Sequence, residues 1–445
     1  MKLLRFVLPL ALAAFVMSAT GFAAPYSSCD EFNERDFQAV YDFIKCKRQI
    51  PLADKVNDLM ISGDVRFEWE NIVEKHDGER LRGRGALRDP RWFNGQRIPD
   101  NEFDVEFNLM LDYRGNCTWA VVQVEFDNNA GICVNRRGCC GTFVDGCDLN
   151  HNYTQDTLDG DPNGCHGSGV CDNICLRKAY FGWNIFEESC CRLDVEIGRR
   201  HFYDAFDSRV QFGSRFDGIL FRYSNCFDCV ADFYVNLGLF VIDESSNHWG
   251  WVTEIGMLNI CDYGIDVKYS FIDWAKNGRN RCDVDDPRGM QFRVSQFSGA
   301  YHFNPELLCV PTTIYGAFLW NHDAEKWADT NFKRKHFGWY LGFMAGEVCQ
   351  EGDWHVDINY QDIQLATVPD CDVSGIGRGN VRCVPNTVDI SAGNTNYKGW
   401  RIEGLYALTD NLALNPSWEY SREEDVHIGG RHRFAKWELQ FIYAF

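Results

Sequence analysis

From about residue 61 onward, apolar and polar side chains alternate one by one. In the stretch 103–113, Phe103, Val105, Phe107, Leu109, Leu111 and Tyr113 alternate with Asp104, Glu106, Asn108, Met110 and Asp112. A period of two places the two sets on opposite faces of a β-strand. The next run sets Ala120, Val122, Val124 and Phe126 against Val121, Gln123, Glu125 and Asp127, after a tight-turn sequence Arg114-Gly115-Asn116-Cys117. The same rhythm runs through 65–69, 179–185, 193–197, 231–239, 251–260, 265–271, 290–299, 314–320, 337–345, 354–360, 400–408, 412–420 and 435–445, and more weakly through 218–224. These make about sixteen runs of about 8–12 residues, the length at which a tilted strand crosses a bilayer. An even count returns both chain ends to one side.

Gap length adds an independent test. The odd-numbered gaps are long, near 73–102, 128–175, 199–215, 275–289, 321–335, 366–397 and 422–432, with a shorter one near 243–250. The even-numbered gaps are short, at 115–116, 187–190, 225–229, 261–262, 304–311, 349–352 and 410–411. Long loops on one side and short turns on the other mark a transmembrane barrel, and a soluble sandwich has no reason to sort loops by parity. A sandwich would share the alternation but keep its apolar face in a dry core. Aromatics near run ends, the lack of a Gly/Pro-rich linker and the terminal Phe445 favour the barrel. The expected fold is all-β: a closed antiparallel transmembrane β-barrel of about 16 strands over residues 61–445, with short periplasmic turns and long extracellular loops.

Residues 1–23 read as a secretory signal peptide. Lys2 and Arg5 precede an apolar core of Val7, Leu8, Leu10, Leu12, Phe15 and Val16, and Gly21-Phe22-Ala23 suits cleavage. Residues 24–60 form a periplasmic N-terminal segment. Within it, 36–47 has helical spacing, with Phe37, Val40, Tyr41 and Ile44 on one stripe. The segment is expected as a small periplasmic cap; its shortness disfavours a plug that enters the lumen.

Composition closes off other classes. With 15% aromatic residues the chain is not disordered. A net charge of -20 opposes nucleic acid as a partner. No later apolar run spans a bilayer as a helix. The 20 cysteines of an exported chain suit disulfides, whose pairing stays open. By the gap order, Cys175 falls in an outside loop. No nucleophile, metalloprotease or phosphate-loop motif is present, so no enzyme activity is expected.

If lipid takes the apolar face, the polar face looks into water. At about sixteen strands the lumen is wide enough for an aqueous channel, with passive diffusion as its activity. The expected pore-lining acids are Asp64, Glu68, Asp104, Glu106, Asp112, Glu125, Asp127, Asp194, Glu196, Asp232, Glu254, Asp266, Asp357, Glu403 and Glu438. The basic ones are Arg66, Arg192, Arg222, Arg293 and Arg401. An acidic wall concentrates cations, so a weak cation preference is expected. Asp148, Asn150, Asn152, Asp156 and Asp159 stand at the alternate spacing of a calcium loop, with Tyr153 where the turn glycine belongs and Asp159 where a bidentate glutamate belongs. Calcium in this extracellular loop and a merely solvated acidic loop are both open readings; no other cofactor is required.

The final run, Trp437-Glu438-Leu439-Gln440-Phe441-Ile442-Tyr443-Ala444-Phe445, resembles the terminal strand of Gram-negative outer-membrane β-barrels. In that class a terminal Phe after alternating apolar positions is the signal read by the barrel-insertion machinery. With its many cysteines, and with Ile61-Ser62-Gly63-Asp64-Val65-Arg66-Phe67 and Phe103-Asp104-Val105-Glu106-Phe107 in the same pattern, the chain is similar to the cysteine-rich porins of chlamydia-like bacteria. The resemblance implies an outer-membrane porin embedded in outer-membrane lipids, with a homotrimer common in the class. It also implies a constriction loop folded inward after strand five, here 199–215 with Arg199, Arg200, Asp204, Asp207, Arg209 and Arg215. The competing reading is a structural or adhesive outer-membrane protein, disulfide-linked to other envelope proteins.

Overall fold

In a computed structural model of the chain, the described residues are 59–80, 100–129, 172–276, 279–280, 291–376 and 395–445, short breaks within these stretches apart, together with Val40, Phe43, Ile50 and Pro51. The predicted signal peptide and calcium loop lie outside them, as does the side chain of Asp127.

The alternating runs are sixteen long strands. In chain order they are β1 (Leu59–His76), β2 (Asn101–Arg114), β3 (Thr118–Asn129), β4 (Asp172–Glu188), β5 (Cys191–His201), β6 (Arg215–Phe227), β7 (Ala231–Asp243) and β8 (His248–Leu258). The second half is β9 (Ile265–Asp273), β10 (Arg293–Phe303), β11 (Thr312–Asn321), β12 (Phe337–Glu347), β13 (Trp354–Ile363), β14 (Tyr397–Ala407), β15 (Leu412–Glu423) and β16 (His432–Ala444). Each pairs antiparallel with its sequence neighbours, and β1 pairs with both β2 and β16. The sheet therefore closes into a barrel of sixteen strands. The two-residue pieces Ile50–Pro51 and Glu79–Arg80 add short pairings along β1.

The closing seam runs from Asp64↔Ala444 to His76↔His432. Beyond it, Phe445 N–H donates to Gly63 O at 3.0 Å and Gly63 N–H to Phe445 O at 3.2 Å. The Phe445 ring stacks on Phe107 at 6.3 Å. The terminal residue is thus held by backbone and ring together.

Parity sorts the faces as the pattern predicts. Phe67, Val105, Phe181, Phe297, Leu341, Phe343 and Trp437 point outward and are exposed. Such a continuous apolar exterior suits hydrocarbon and would be an aggregation hazard in water. Aromatics gather toward both ends. On the long-loop side Trp339 meets Tyr360 at 5.5 Å, Tyr360 meets Trp400 at 5.0 Å and Trp418 meets Trp437 at 6.0 Å. On the short-turn side Tyr301, Trp354, Tyr406 and Tyr443 are exposed. Two such belts are what interfacial anchoring requires.

The alternation breaks in β4. The register steps from Gln123↔Lys178 to Val124↔Leu176, leaving Arg177 as the extra residue of a β-bulge. Arg177 and Lys178 are consecutive and both buried, which strict alternation forbids. Cys175 also lies in β4 and not in a loop, because β4 starts three residues before the predicted edge of its gap. Cys175 and Cys349 are each disulfide-bonded.

Two apolar clusters fill parts of the interior. One lies toward the long loops and joins Phe202, Phe206, Val210 and Phe212, which follow β5, to the inward Phe216, Phe240, Val252, Ile272, Val294 and Leu319 of the wall. Leu365, Val368, Val373 and Ile376, which follow β13, belong to the same cluster. The other lies at the short-turn end and holds Val40 and Phe43 among Met110, Trp119, Val121, Tyr180, Leu405, Ala413 and Ile442. Val40 and Phe43 are helical and pack against inward side chains of the barrel at this end. Val40 is on the predicted stripe; its other members Phe37, Tyr41 and Ile44 lie outside the described residues.

Leu341 is an outward residue midway along β12, 56% exposed. Leu341→Arg is expected to destabilise the barrel by about 2–4 kcal/mol, the cost of a cation at the bilayer midplane. Urea titration in lipid vesicles, read by the mobility shift of folded barrel on unheated gels, checks this.

Candidate functional site

The inner wall at the closing seam is a ladder of charge. Glu68, Glu70 and Glu438 each bring a carboxylate oxygen within 4.8 Å of the others. Lys436 Nζ sits among them, 3.0 Å from Glu70 Oε1 and bonded to Glu438. Gln440 Nε2 donates to Glu68 Oε2 at 2.9 Å and to Glu438 Oε1 at 2.7 Å. His432 Nε2 lies 3.0 Å from Glu74 Oε1. Along β1, Arg66 Nε donates to Asp64 Oδ2 at 2.5 Å. On the neighbouring wall Arg177 pairs with Glu125, Arg200 with Glu196, and Lys178 with Asp204 at 3.2 Å. All of these groups are buried, so their mutual pairing offsets a desolvation cost of several kcal/mol per ion.

The segment 202–214 leaves β5 through a single turn at Phe202–Asp204 and then runs along the inside of the wall. Asn236 Nδ2 of β7 donates to Ala205 O at 2.7 Å, and Asp207 N–H to Glu254 Oε2 of β8 at 3.0 Å. Lys268 Nζ of β9 reaches Asp207 Oδ2 at 2.8 Å, and Ser208 Oγ meets Gln296 of β10 at 2.7 Å. Arg209 ends the traverse, 3.1 Å from Asp357 Oδ2 of β13 and over the Tyr315 ring at 5.1 Å. Its phenylalanines hold it there, each buried ring contributing roughly 1.5–3 kcal/mol. The Lys268 ammonium holds the Asp207 carboxyl below the usual carboxylate range.

Tyrosines brace this traverse, and glycines make room for them. Tyr315 lies across Gly342 of the next strand and Tyr234 across Gly256, where a Cβ would meet the ring at 2.2 and 2.1 Å. Their hydroxyls donate to Asp357 at 2.5 Å and to Glu254 at 2.7 Å.

A second segment, 364–376, folds against the first. Asp372 is fully buried and accepts from Phe212 N–H at 3.1 Å, Ser214 N–H at 3.3 Å and Ser214 Oγ at 2.7 Å. Gly213 N–H donates to Asp372 O at 2.9 Å and Ser374 N–H to Val210 O at 2.8 Å. Gly375 passes so close to the wall that a Cβ there would lie 1.9 Å from the Tyr397 hydroxyl.

Among the predicted lining residues, Asp64, Arg66, Glu68, Glu106, Asp112, Glu125, Asp194, Glu196, Arg222, Glu254, Asp357, Glu403 and Glu438 are buried and of inward parity. Asp104, Arg192, Asp232, Asp266 and Arg401 share that parity and are partly buried. Arg293 does not. It shares parity with the exposed Phe297 and Tyr301, and it pairs with the outward Asp273 at 3.1 Å and with Asp323 at 3.3 Å. A charge at a strand end reaches the headgroup level and so needs no inward face. Arg199 is likewise corrected: it is still in β5, and its outward side chain pairs with Asp217 at 2.7 Å. Arg215 already belongs to β6, beside His201 at 3.1 Å. Arg200 and Asp204 form a buried ion pair at the root of the traverse, at 3.4 Å, and only Asp207 and Arg209 lie along its course.

Sequence reading missed Lys178, Lys268, Lys436 and Arg177 as inward cations. Lys268 and Lys436 do share parity with residues that were named. Asp372 carried no signal, since its donors are 158–160 residues away in the chain.

No family model and no curated protein matches the chain. Among solved structures, Salmonella typhi OmpF in complex with daunomycin is similar at 12% identity and a TM-score of 0.46, covering 89% of this chain and 100% of that one. Pseudomonas putida OprB in its high-pH structure is similar at 8% identity and a TM-score of 0.47, covering 86% and 94%. A triple mutant of the Rhodopseudomonas blastica porin is similar at 9% identity and a TM-score of 0.41, covering 87% and 100%.

Asp372 lies outside the spanning strands, and burial pushes its carboxyl up to about 7. A group whose pKa is higher docked than free favours docking when protonated. The junction between the two segments should therefore loosen as pH rises through about 7. Hydrogen exchange at Phe212 and Gly213, corrected for intrinsic rate, should lose protection over that range. Asp372→Asn should abolish the pH dependence.

Proposed function

We propose that the chain is an outer-membrane porin: a barrel channel for passive diffusion of small hydrophilic solutes and ions, with a weak preference for cations. The observation that carries this reading is the opposition of faces in one closed wall. Outward parity gives Phe67, Val105, Leu341 and Phe343, while inward parity gives Asp64, Glu68, Glu106 and Glu438. A sixteen-strand barrel leaves room for water inside, and its charged wall favours water over lipid.

The interior is narrower than a bare barrel of this size. Among the described residues, the traverse of 202–214 and the segment behind it lie against one wall; we place the solute path on the opposite side, along β14, β15, β16, β1, β2 and β3, whose inward carboxylates pair within the wall. There carboxylates predominate, with Arg66, Arg401 and Lys436 each set on a carboxylate partner. A path of this sign raises the local concentration of cations and depletes anions. Two hydroxyl–imidazole pairs occur among the described residues, Ser295 Oγ with His322 Nε2 at 2.7 Å and Thr313 Oγ1 with His302 Nδ1 at 2.8 Å, the latter histidine also 2.9 Å from Asp266 Oδ2.

Planar-bilayer recording of the full mature chain should give discrete ohmic steps, and a salt gradient should give a reversal potential of cation-preferring sign. Bilayers that stay sealed at high protein load would sink the channel reading, and an anion-preferring sign would sink the selectivity. Arg209→Gln removes a cation facing Asp357 and should move the reversal potential further toward cations.

A further inference from the structure

At two places on the long-loop rim, outward charge is neutralised within the wall: Arg199 by Asp217 and Arg293 by Asp273. On β14, β15, β16 and β1 it is not. Lys398 stands opposite Arg422, Arg422 opposite Arg433, and Arg433 opposite Lys75. The four share the outward parity of Trp400, Trp437 and Phe67, and Arg422, Arg433 and Lys75 are exposed. Like charges directly opposite on neighbouring strands are destabilising. Here three such pairs follow one another, in a chain whose net charge is -20. Among the described residues, none of the four is in an ion pair, and Lys398 Nζ reaches only the backbone Glu424 O at 3.4 Å. Acids stand only at the ends of the run. Asp362 is opposite Lys398, and Arg80, opposite Lys75, lies 3.8 Å from Asp100.

Two residues nearer the middle of the wall, Trp400, Tyr420, Ala435 and Val73 repeat the same cross-strand order. Two residues along a strand are about 7 Å, so the cations stand just outside the aromatic belt, at the depth of headgroup phosphates. Four strands at about 4.8 Å spacing make the run about 14 Å wide, room for more than one phosphate. In barrels of this kind the long loops face the outer leaflet.

We propose that this run of cations binds an outer-leaflet lipid carrying more than one headgroup phosphate, with its acyl chains on the apolar wall beneath. The inference rests on the membrane placement in the reading above and is independent of conduction. The two guanidiniums at the centre suit bidentate phosphate recognition. A free phosphate would leave the aromatic row unused, whereas a lipid occupies both rows.

The test titrates diphosphoryl lipid A into the folded full mature chain in detergent and reads the bound fraction by native mass spectrometry. Arg422→Gln/Arg433→Gln should weaken binding at least about tenfold. Arg422→Lys/Arg433→Lys, which keeps the charge, should lose less, and Arg199→Gln should bind as wild type does. Folding of each is verified by gel mobility before and after heating, and Arg433→Gln alone serves if the double variant does not fold. Equal affinity in wild type and folded Gln variant would overturn the site, as would equal affinity for the same lipid stripped of its phosphates. Displacement of the lipid by equimolar inorganic phosphate would overturn the lipid as occupant. Conductance of the same preparations reads the channel separately. A chain that binds the lipid selectively but does not conduct sinks only the channel reading, and one that conducts without this selectivity sinks only the lipid site.

Discussion

In hydrocarbon there is no water to satisfy a backbone N–H or C=O, so a spanning sheet must have no open edge. The pairing of β1 with β16 meets that requirement here, and the remaining architecture follows from it. Once the first and last strands are joined, their inner faces become neighbours. The ladder of Glu68, Glu70, Lys436, Glu438 and Gln440 exists only because residues about 370 positions apart are in register. The terminal Phe445 completes the same seam by bonding to Gly63. The outside needs only apolar side chains of the right parity. The inside must be filled, wetted or charged in a pattern set by what lies across from it.

That inner pattern has more than one medium. Where the wall is charged, as at β1 and β16, ions pair within the wall. Where it is apolar, the chain brings its own cover: Phe202, Phe206 and Phe212 against Val252 and Val294, and Val40 with Phe43 against Ile442 and Ala413. Asp372 then ties two covering segments to each other, and the tyrosines set over glycines carry hydroxyls to Asp357 and Glu254. In the described residues the inner wall thus carries coverings over part of its surface and a charged ladder at the closing seam.

Much of this was legible along the chain, for a physical reason. A strand between two different solvents must alternate, so all sixteen spans stood out, even the weak one that became β6. Gly218, Arg222 and Tyr223 had blurred its rhythm. What the pattern hid was of two kinds. Val252, Ile272, Val294 and Leu319 sat at inward positions in plain sight, but an apolar inward residue has meaning only when its cover is known. Contacts such as Asp372 with Ser214 depend on how two loops fold back, which no local periodicity records. Arg199 and Arg293 show a third limit: near a strand end, the outward face is no longer lipid, and charge there says little about the lumen.

The bulge at Arg177 bears on how such a wall can change over generations. A sequence written in strict pairs cannot gain or lose a single residue within a span without turning every later side chain inside out. In β4 one supernumerary residue is absorbed without that reversal, and it delivers two adjacent cations to Glu125 and Asp204. Length changes of one residue should accordingly accumulate in the connecting segments and at such irregularities, while the spans between them exchange residues two by two or stay as they are.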